Sequence, residues 1–554
     1  MLTWLARLVF RRAPEQSRAD PDGYHAQTEQ GVMLASAGDF DGAIACFGRA
    51  LALRPELPAA HFNFAAACKQ ARKLDDALAS LERALERDPE FADAHLLMAN
   101  IALERSDADR AEPHLRAAIA LRPQLAEAHA DLGLALFAQG RFDEAEASCR
   151  EALRLKPDLV GARVNLGLVL EHGRGDLESA VGCFREALRL QPEHVDALAN
   201  LATACQEQGL LDEAAAGFAR ASQLAPQNPI VHVAQGALAL LRGDFGAGWP
   251  KYEWRRRQAG EIHRRFAFPV WDGSSLAGRT ILLYAEQGIG DQIMFASCIP
   301  EVIATAGHCV IECSVKLGEL FRRSFPAATV HAGTEDDPSK WLSEAPPIDL
   351  QLPIGSLPLF LRRSSANFPR HAGYLHADAE KVRAWRGRLD ALGAGIKVGL
   401  SWRGGMPMSG RTRRSIDLER LLPLLRTEGA HFVDLQYTDC SEESTLLERR
   451  YGVRLVRWAQ AIDDYDETAA LVCALDLTLS VCTALVHLGG ALGRPVWVLA
   501  PFSPEWRYGF QGETMPWYPS VTMFRQPTHG DWESVIEKAA RALAQLTCAQ
   551  QCSG

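Results

Sequence analysis

Three segments in the C-terminal half set ionisable or anion-seeking side chains just past a run of β-forming residues. In ILLYAEQGIGDQIMFAS, Gly288 and Gly290 permit a tight turn, and Asp291 falls at the start of a helix. Exposed N–H groups at such a position favour an anion or a carboxylate, and an aspartate there also reads as a simple helix cap. In KVGLSWRGG, followed by RTRRSIDLERLLPLL, four arginines (Arg403, Arg411, Arg413 and Arg414) gather with glycines beyond the carboxyl end of a predicted strand. Open α/β sheets bind ligands at that edge, and guanidinium forks match phosphate oxygens, so the loop suits a diphosphate; the plainer reading is a solvated loop. In LDLTLSVCTALVHLGGALGRPVWVLAP a strand ends at Ser480–Val481, and Thr483, Ala484 and Leu485 open a helix that carries His487 one turn in. The free N–H groups, the Thr483 hydroxyl and His487 form a second phosphate seat, against the alternative of a core histidine.

These motifs need a scaffold that brings strand ends together. From Arg279 onward, short β-rich runs (ILLYAE, HCVIEC, IKVGLSW, HFVDLQY, LTLSV, PVWVLA) alternate with helical stretches, the mark of parallel βαβ units. Two such halves, 279–375 and 396–545, flank a connection containing DLQLPIGSLPLFLRR. Two Rossmann-like lobes facing across a cleft are expected.

The first half is built differently. Prolines recur at Pro55, Pro89, Pro123, Pro157, Pro192 and Pro226, at spacings of 34, 34, 34, 35 and 34 residues. That is the tetratricopeptide (TPR) period. Alanines ride in phase at Ala43, Ala77, Ala111, Ala145, Ala180 and Ala214, and again at Ala50, Ala84, Ala118, Ala152, Ala187 and Ala221. Small side chains there let antiparallel helices approach, while Phe47, Leu81, Leu115, Phe184 and Phe218 fill the space between neighbouring pairs. Gly31, Gly133 and Gly167 serve close contact, and Gly38, Gly140 and Gly209 serve left-handed turns. The one extra residue falls near Gly173–Gly175, and a seventh unit, 228–258, degenerates into GDFGAGWPKYEWRRR. A stacked right-handed superhelix with a concave groove for a polypeptide follows. Asn63, Asn100, Asn165 and Asn200 recur on first helices, either to grip a peptide backbone or to bond within the stack.

Composition narrows the function classes. A chain of 554 residues exceeds one core, and 47% apolar with 23% charged residues is ordinary for a globular protein. A net charge of −10 excludes a broad nucleic-acid footprint. Thirteen cysteines occur with no CxxC pair, so reduced buried thiols and a cytoplasmic location are expected, with no structural metal. The opening MLTWLARLVFRR is too short to span a bilayer and lacks the basic start and cleavage site of a signal peptide.

Taken together, GWPKYEWR, AEQGIGDQIMFAS, VGLSWRGG, SVCTALVHLGGALGRPVW and PEWRYGF with PWYPSVTMFRQ resemble bacterial TPR proteins. In these the C-terminal half is similar to the glycosyltransferase family 9 (heptosyltransferase-like) group, and there is a more distant likeness to TPR-containing protein O-GlcNAc transferases. The resemblance runs from about residue 25 to 545. It implies an α-helical TPR solenoid followed by an α/β GT-B-like region of two Rossmann-like lobes. The expected layout is a leader at 1–24, the solenoid at 25–258, lobes at 259–385 and 386–545, and a tail at 546–554.

By motif, the resemblance implies a nucleotide-diphosphate sugar donor, with no metal and no cofactor. Asp291 would be the base, Arg403 would neutralise the leaving diphosphate, and Thr483, Ala484, Leu485 and His487 would hold it, with Gly288 and Gly290 shaping the turn and Trp506 and Arg507 bordering the donor. Two departures stand out. Cys482 replaces the aspartate of the family's Val-Asp-Thr, and Gly405, with Met406 and Met408 nearby, replaces an asparagine. The expected function is transfer of a sugar to an acceptor, a protein presented by the TPR groove; the alternative is a protein-binding TPR scaffold with a non-catalytic transferase-like domain.

Overall fold

The computed structural model describes residues 23–258, 266–333, 339–405 and 413–553. The leader up to residue 22, Arg411, Met406 and Met408 lie outside them. The chain divides into two compact units, Met1–Asn200 and Leu201–Gly554.

The first unit is a stack of helix pairs: α1 (Tyr24–Ser36) with α2 (Phe40–Leu53), α3 (Pro58–Gln70) with α4 (Leu74–Arg87), α5 (Ala92–Glu104) with α6 (Ala108–Leu121), α7 (Ala126–Ala138) with α8 (Phe142–Leu155), and α9 (Val160–Val169) with α10 (Leu177–Leu190). The periodic alanines from Ala43 to Ala187 are all at most 1% exposed, so any larger side chain would force the helices apart. A Cβ on Gly31 would stand 2.7 Å from the Phe47 ring, and one on Gly167 would stand 2.4 Å from Phe184. Phe47 also clusters with Ala67 of the next pair, joining neighbours as expected. The extra residue of the 35-residue repeat is absorbed as a π-helical turn, Leu170–Arg174, closed by Gly175 at φ 69°.

A second periodic device escaped the sequence reading. His61, His95 and His129 each donate from Nε2 to a proline carbonyl six residues earlier, Pro55, Pro89 and Pro123, at 3.0 Å. Arg163 does the same for Pro157 at 2.8 Å. Each contact satisfies a carbonyl in the turn between repeats.

The recurring asparagines separate. Asn100 donates to the Leu96 carbonyl and to Asp131 (3.0 Å), and Asn165 donates to the Ala130 carbonyl (3.0 Å), so both bond within the stack. Asn63 is 1% exposed and its amide has no partner among the described residues. The equivalent position one repeat on is Leu97, also buried. Asn63→Leu therefore removes an unsatisfied amide and is expected to stabilise this unit by about 1–2 kcal/mol, read as a higher midpoint in urea.

Burial pushes the Asp131 carboxyl up to about 7, against the opposing hydrogen bond from Asn100 and the charge of Lys69. A carboxyl whose folded pKa exceeds its unfolded value costs nothing when protonated and disfavours folding once ionised. Stability should thus fall by about 4 kcal/mol as pH rises from 4 to 8, with the loss centred between the two pKa values. Asp131→Asn should flatten that slope in denaturation series across this range.

The second unit begins inside α11 (Val195–Glu207) and takes in α12 (Leu211–Leu224), α13 (Pro229–Leu241) and α14 (Phe245–Tyr252). The compact division thus falls well before residue 258, the expected end of the solenoid. The reason is an aromatic junction: Trp249 is buried among Phe295, Trp506 and Trp517, and its indole donates to the Arg362 carbonyl at 2.8 Å.

Two parallel sheets follow. The first has the order β3-β2-β1-β4, from β1 (Thr280–Tyr284), β2 (His308–Cys313), β3 (Thr329–Ala332) and β4 (Leu350–Pro353). The second has the order β10-β11-β9-β8-β5-β6-β7, from β5 (Ile396–Ser401), β6 (Ala430–Asp434), β7 (Val456–Arg457), β8 (Leu477–Val481), β9 (Val496–Ala500), β10 (Thr514–Met515) and β11 (Tyr518–Arg525). β10 alone runs antiparallel to its neighbour. In register, Val398–Ser401 pair with Leu477–Ser480, so the loops after β5 and β8 leave the sheet side by side. This mixed α/β region with parallel sheets is compatible with the expected two-lobed fold.

Candidate functional site

Gln436, fully buried, fixes the end of β5. Its Oε1 accepts from the Ser401 hydroxyl and from the N–H groups of Trp402 and Arg403, and its Nε2 donates to the Arg403 carbonyl. The loop then turns against the β8 edge. A Cβ on Gly404 would stand 3.0 Å from the Cys482 carbonyl and 3.2 Å from Thr483, so a side chain there would press on the β8 edge. Gly405 lies at φ 81°, a left-handed conformation that glycine and asparagine both tolerate.

After β8, Thr483 caps α15 (Ala484–Ala491), its hydroxyl oxygen accepting from the Leu485 N–H at 3.3 Å while lying 2.9 Å from the Ser480 hydroxyl. His487 sits deeper than expected. It is 4% exposed, with Nδ1 3.3 Å from the Tyr518 hydroxyl and Nε2 3.5 Å from that of Tyr508. Burial, with Arg507 adding to it, lowers its pKa to about 3, so it is neutral. Both ring nitrogens face tyrosines, so any part it plays in anion binding runs through the packing of the helix.

Asp291 lies in the first turn of the short helix Ile289–Phe295 after β1. It is not the cap: Gly288 holds that place, at φ −62°, so neither a left-handed turn nor a side-chain cap is used. The close packing lies instead at Gly290, where a Cβ would stand 3.3 Å from Ala484 and from His487 and would press on both. That contact seats the first lobe's helix on α15 of the second, bringing the Asp291 and Thr483 motifs together. The Asp291 carboxylate is gripped by Arg507, at 2.6 Å to Nε and 2.5 Å to Nη2, and the Arg507 guanidinium lies over Trp506.

The described arginines of the loop all meet acids: Arg403 with Glu443 (2.8 Å), Arg413 with Glu207 (2.7 Å), and Arg414 with Glu505. Residue type in sequence signalled the arginines but not these distant carboxylates. Cys482 is buried and its thiol is pushed up to about 12 by burial, with Glu505 adding to it, so it stays a protonated thiol. Beside Arg507 opens a cavity of about 920 Å³ lined in part by Phe245, Phe368, Arg370, Phe510 and Trp517. No cluster of three or more His, Cys, Asp or Glu suited to a metal occurs among the described residues, and no helix there is long and apolar enough to cross a membrane.

Comparison with known proteins bears chiefly on the helical half, although the alignment with one relative is longer than that half and takes in part of the α/β region. A family model for the C-terminal domain of cilia and flagella-associated protein 70 matches residues 5–237. Protein FlbA of Caulobacter vibrioides is 32% identical over 351 residues, which are 60% of this chain and 58% of that protein, so the chain spans a little over half of its relative's length. Among solved structures, a MamA protein is 25% identical, with 31% of this chain and 94% of that chain covered and a TM-score of 0.28. A thermophilic TPR protein of Thermus thermophilus, TTC0263, is 26% identical, with 33% and 98% covered and a TM-score of 0.29. The fold assignment rests on the repeat geometry and the family match: the N-terminal half of this chain is a tetratricopeptide-repeat solenoid, a scaffold for protein interaction.

Proposed function

We propose that the α/β body is a metal-independent glycosyltransferase that moves a sugar from a nucleotide-diphosphate donor to an acceptor, a protein held by the repeats. The reading is carried by one observation: the loop after β5, which holds Arg403, Arg413 and Arg414, comes against the end of β8 and Thr483 at Gly404, and the Asp291 helix docks on the α15 that Thr483 caps. The diphosphate would rest against Thr483, Ala484 and Leu485, with arginine charge replacing a metal as negative charge develops on the leaving oxygen. The acceptor oxygen would bond to the anomeric carbon as the bond to the diphosphate breaks, its proton passing to Asp291. The cavity lined in part by Arg507, the partner of that carboxylate, would give an acceptor room on the far side of the ion pair. Incubation with a panel of nucleotide sugars and assay of nucleotide release tests the reading; binding without turnover for every donor would count against it.

A second reading, a protein-binding scaffold with a non-catalytic transferase-like domain, is favoured by Cys482. An aspartate there would lie near Arg414, Arg525 and Glu505, charges a thiol cannot engage. If Cys482→Asp gains transfer activity, the domain is a weakened enzyme; if it gains none while a partner is retained on the repeats, the scaffold reading stands.

A further inference from the structure

The described arginines of the loop after β5 are neutralised before any ligand arrives, three cations against Glu443, Glu207 and Glu505. A diphosphate seated there must displace a carboxylate or lie beside it against like-charge repulsion. The three acids differ in anchorage. Glu443 also accepts from the Trp402 indole (3.3 Å) and the Leu418 N–H (3.1 Å), so it is built into the loop. Glu505 is shared between Arg414 and Arg507. Among the described residues Glu207 has one ion pair, to Arg413, and burial is the larger influence on its carboxyl, raising its pKa despite that arginine.

Glu207 is also the residue that comes from the helical repeats. It ends α11, and the following turn presses on the segment after β9. Gly209, at φ 78°, leaves room for the Phe502 and Phe510 rings, which a Cβ would meet at 3.0 and 3.3 Å, and Ser503 donates to the Gln206 carbonyl at 3.2 Å. That same segment carries Glu505 and Arg507.

We infer that Glu207 sets the affinity of the arginine loop, as an anion supplied by the repeats that occupies Arg413 until a diphosphate displaces it. Occupancy of the loop and seating of the α11–α12 turn then compete for one guanidinium. The inference rests on reading the loop as a diphosphate site and goes beyond it, by making the end of the solenoid part of that site.

Calorimetry of the full chain with inorganic pyrophosphate tests it. Glu207→Gln is expected to bind 5- to 20-fold more tightly than wild type, and Glu443→Gln more weakly, because the latter releases Arg403 and Trp402. In wild type, pyrophosphate should also speed hydrogen exchange at residues 204–210. If wild type binds pyrophosphate but Glu207→Gln binds no better, or exchange in the turn is unmoved at saturation, the Glu207 assignment is overturned and the loop reading survives. If neither protein binds, both fall. The exchange experiment needs no variant and so decides the matter even if Glu207→Gln folds poorly.

Discussion

Arg255→Met is expected to destabilise the second unit by about 3–5 kcal/mol, enough to lower its thermal midpoint by roughly 5–10 °C. The Arg255 side chain is 2% exposed and joins three groups: Glu286 at 2.6 Å, Glu253 at 2.5 Å and the Ser356 hydroxyl at 2.9 Å. Gly355 makes the space, since a Cβ there would lie 2.5 Å from the Glu286 carboxylate. Methionine fills the volume but strands the Glu286 carboxylate in a dry site, while Glu253 keeps the Ser356 hydroxyl and Arg256. The Glu286 carboxyl is already raised by burial, with Arg255 opposing, so without the arginine it takes up a proton more readily. The deficit of the variant should therefore be largest at neutral pH and shrink on acidification, and Glu286→Gln in the same chain should recover part of it. Lysine should rescue poorly, as one ammonium cannot reproduce the fork. Thermal unfolding of the four proteins at pH 5 and 7.5 checks all of this. The cluster also bears on chemistry, because Glu286 and Gln287, the latter accepting from the Tyr252 hydroxyl at 3.1 Å, begin the loop that leads to Asp291.

Asp291→Asn is expected to lower the rate of sugar transfer by 10²- to 10⁴-fold while leaving nucleotide-diphosphate affinity within about threefold, if this carboxylate takes the acceptor proton. The amide keeps the shape but accepts no proton and holds Arg507 less firmly. Part of any loss would then be structural, and Arg507→Gln separates the two effects. It too breaks the pair but leaves the carboxylate, so its rate should fall less than that of Asp291→Asn even if its stability falls as far. Equal losses in both variants would assign Asp291 to holding Arg507 in place. Single-turnover transfer with calorimetry of the donor nucleotide distinguishes the cases.

The repeats were legible because their information is local and periodic. One spacing of about 34 residues places twelve alanines, and each proves to be sealed from solvent within the helix packing. The strand-to-helix turns were legible for a similar reason, being short stretches of contiguous chain. What escaped was pairing over distance. Nothing around Arg507 announces Asp291, 216 residues away, and nothing around Glu207 announces Arg413. His487 shows the limit from the other side: its place one turn into a helix after a strand end suggests a ligand contact, whereas Tyr508 and Tyr518, from two other elements, enclose it. In sequence Gly288 and Gly290 look alike as turn formers, yet one is an ordinary cap and the other a point of contact between lobes.

The widened coil at Leu170–Arg174 has an evolutionary corollary. Because the surplus residue is swallowed within a single turn, the helices on either side keep their facing and no later contact has to be re-matched. Lengthening or shortening the chain by one at this spot is therefore a mutational step the array can survive, whereas the same change beside Ala145 or Ala180 would rotate a sealed seam out of alignment. Natural length variation in related arrays should collect at such bends and spare the seams.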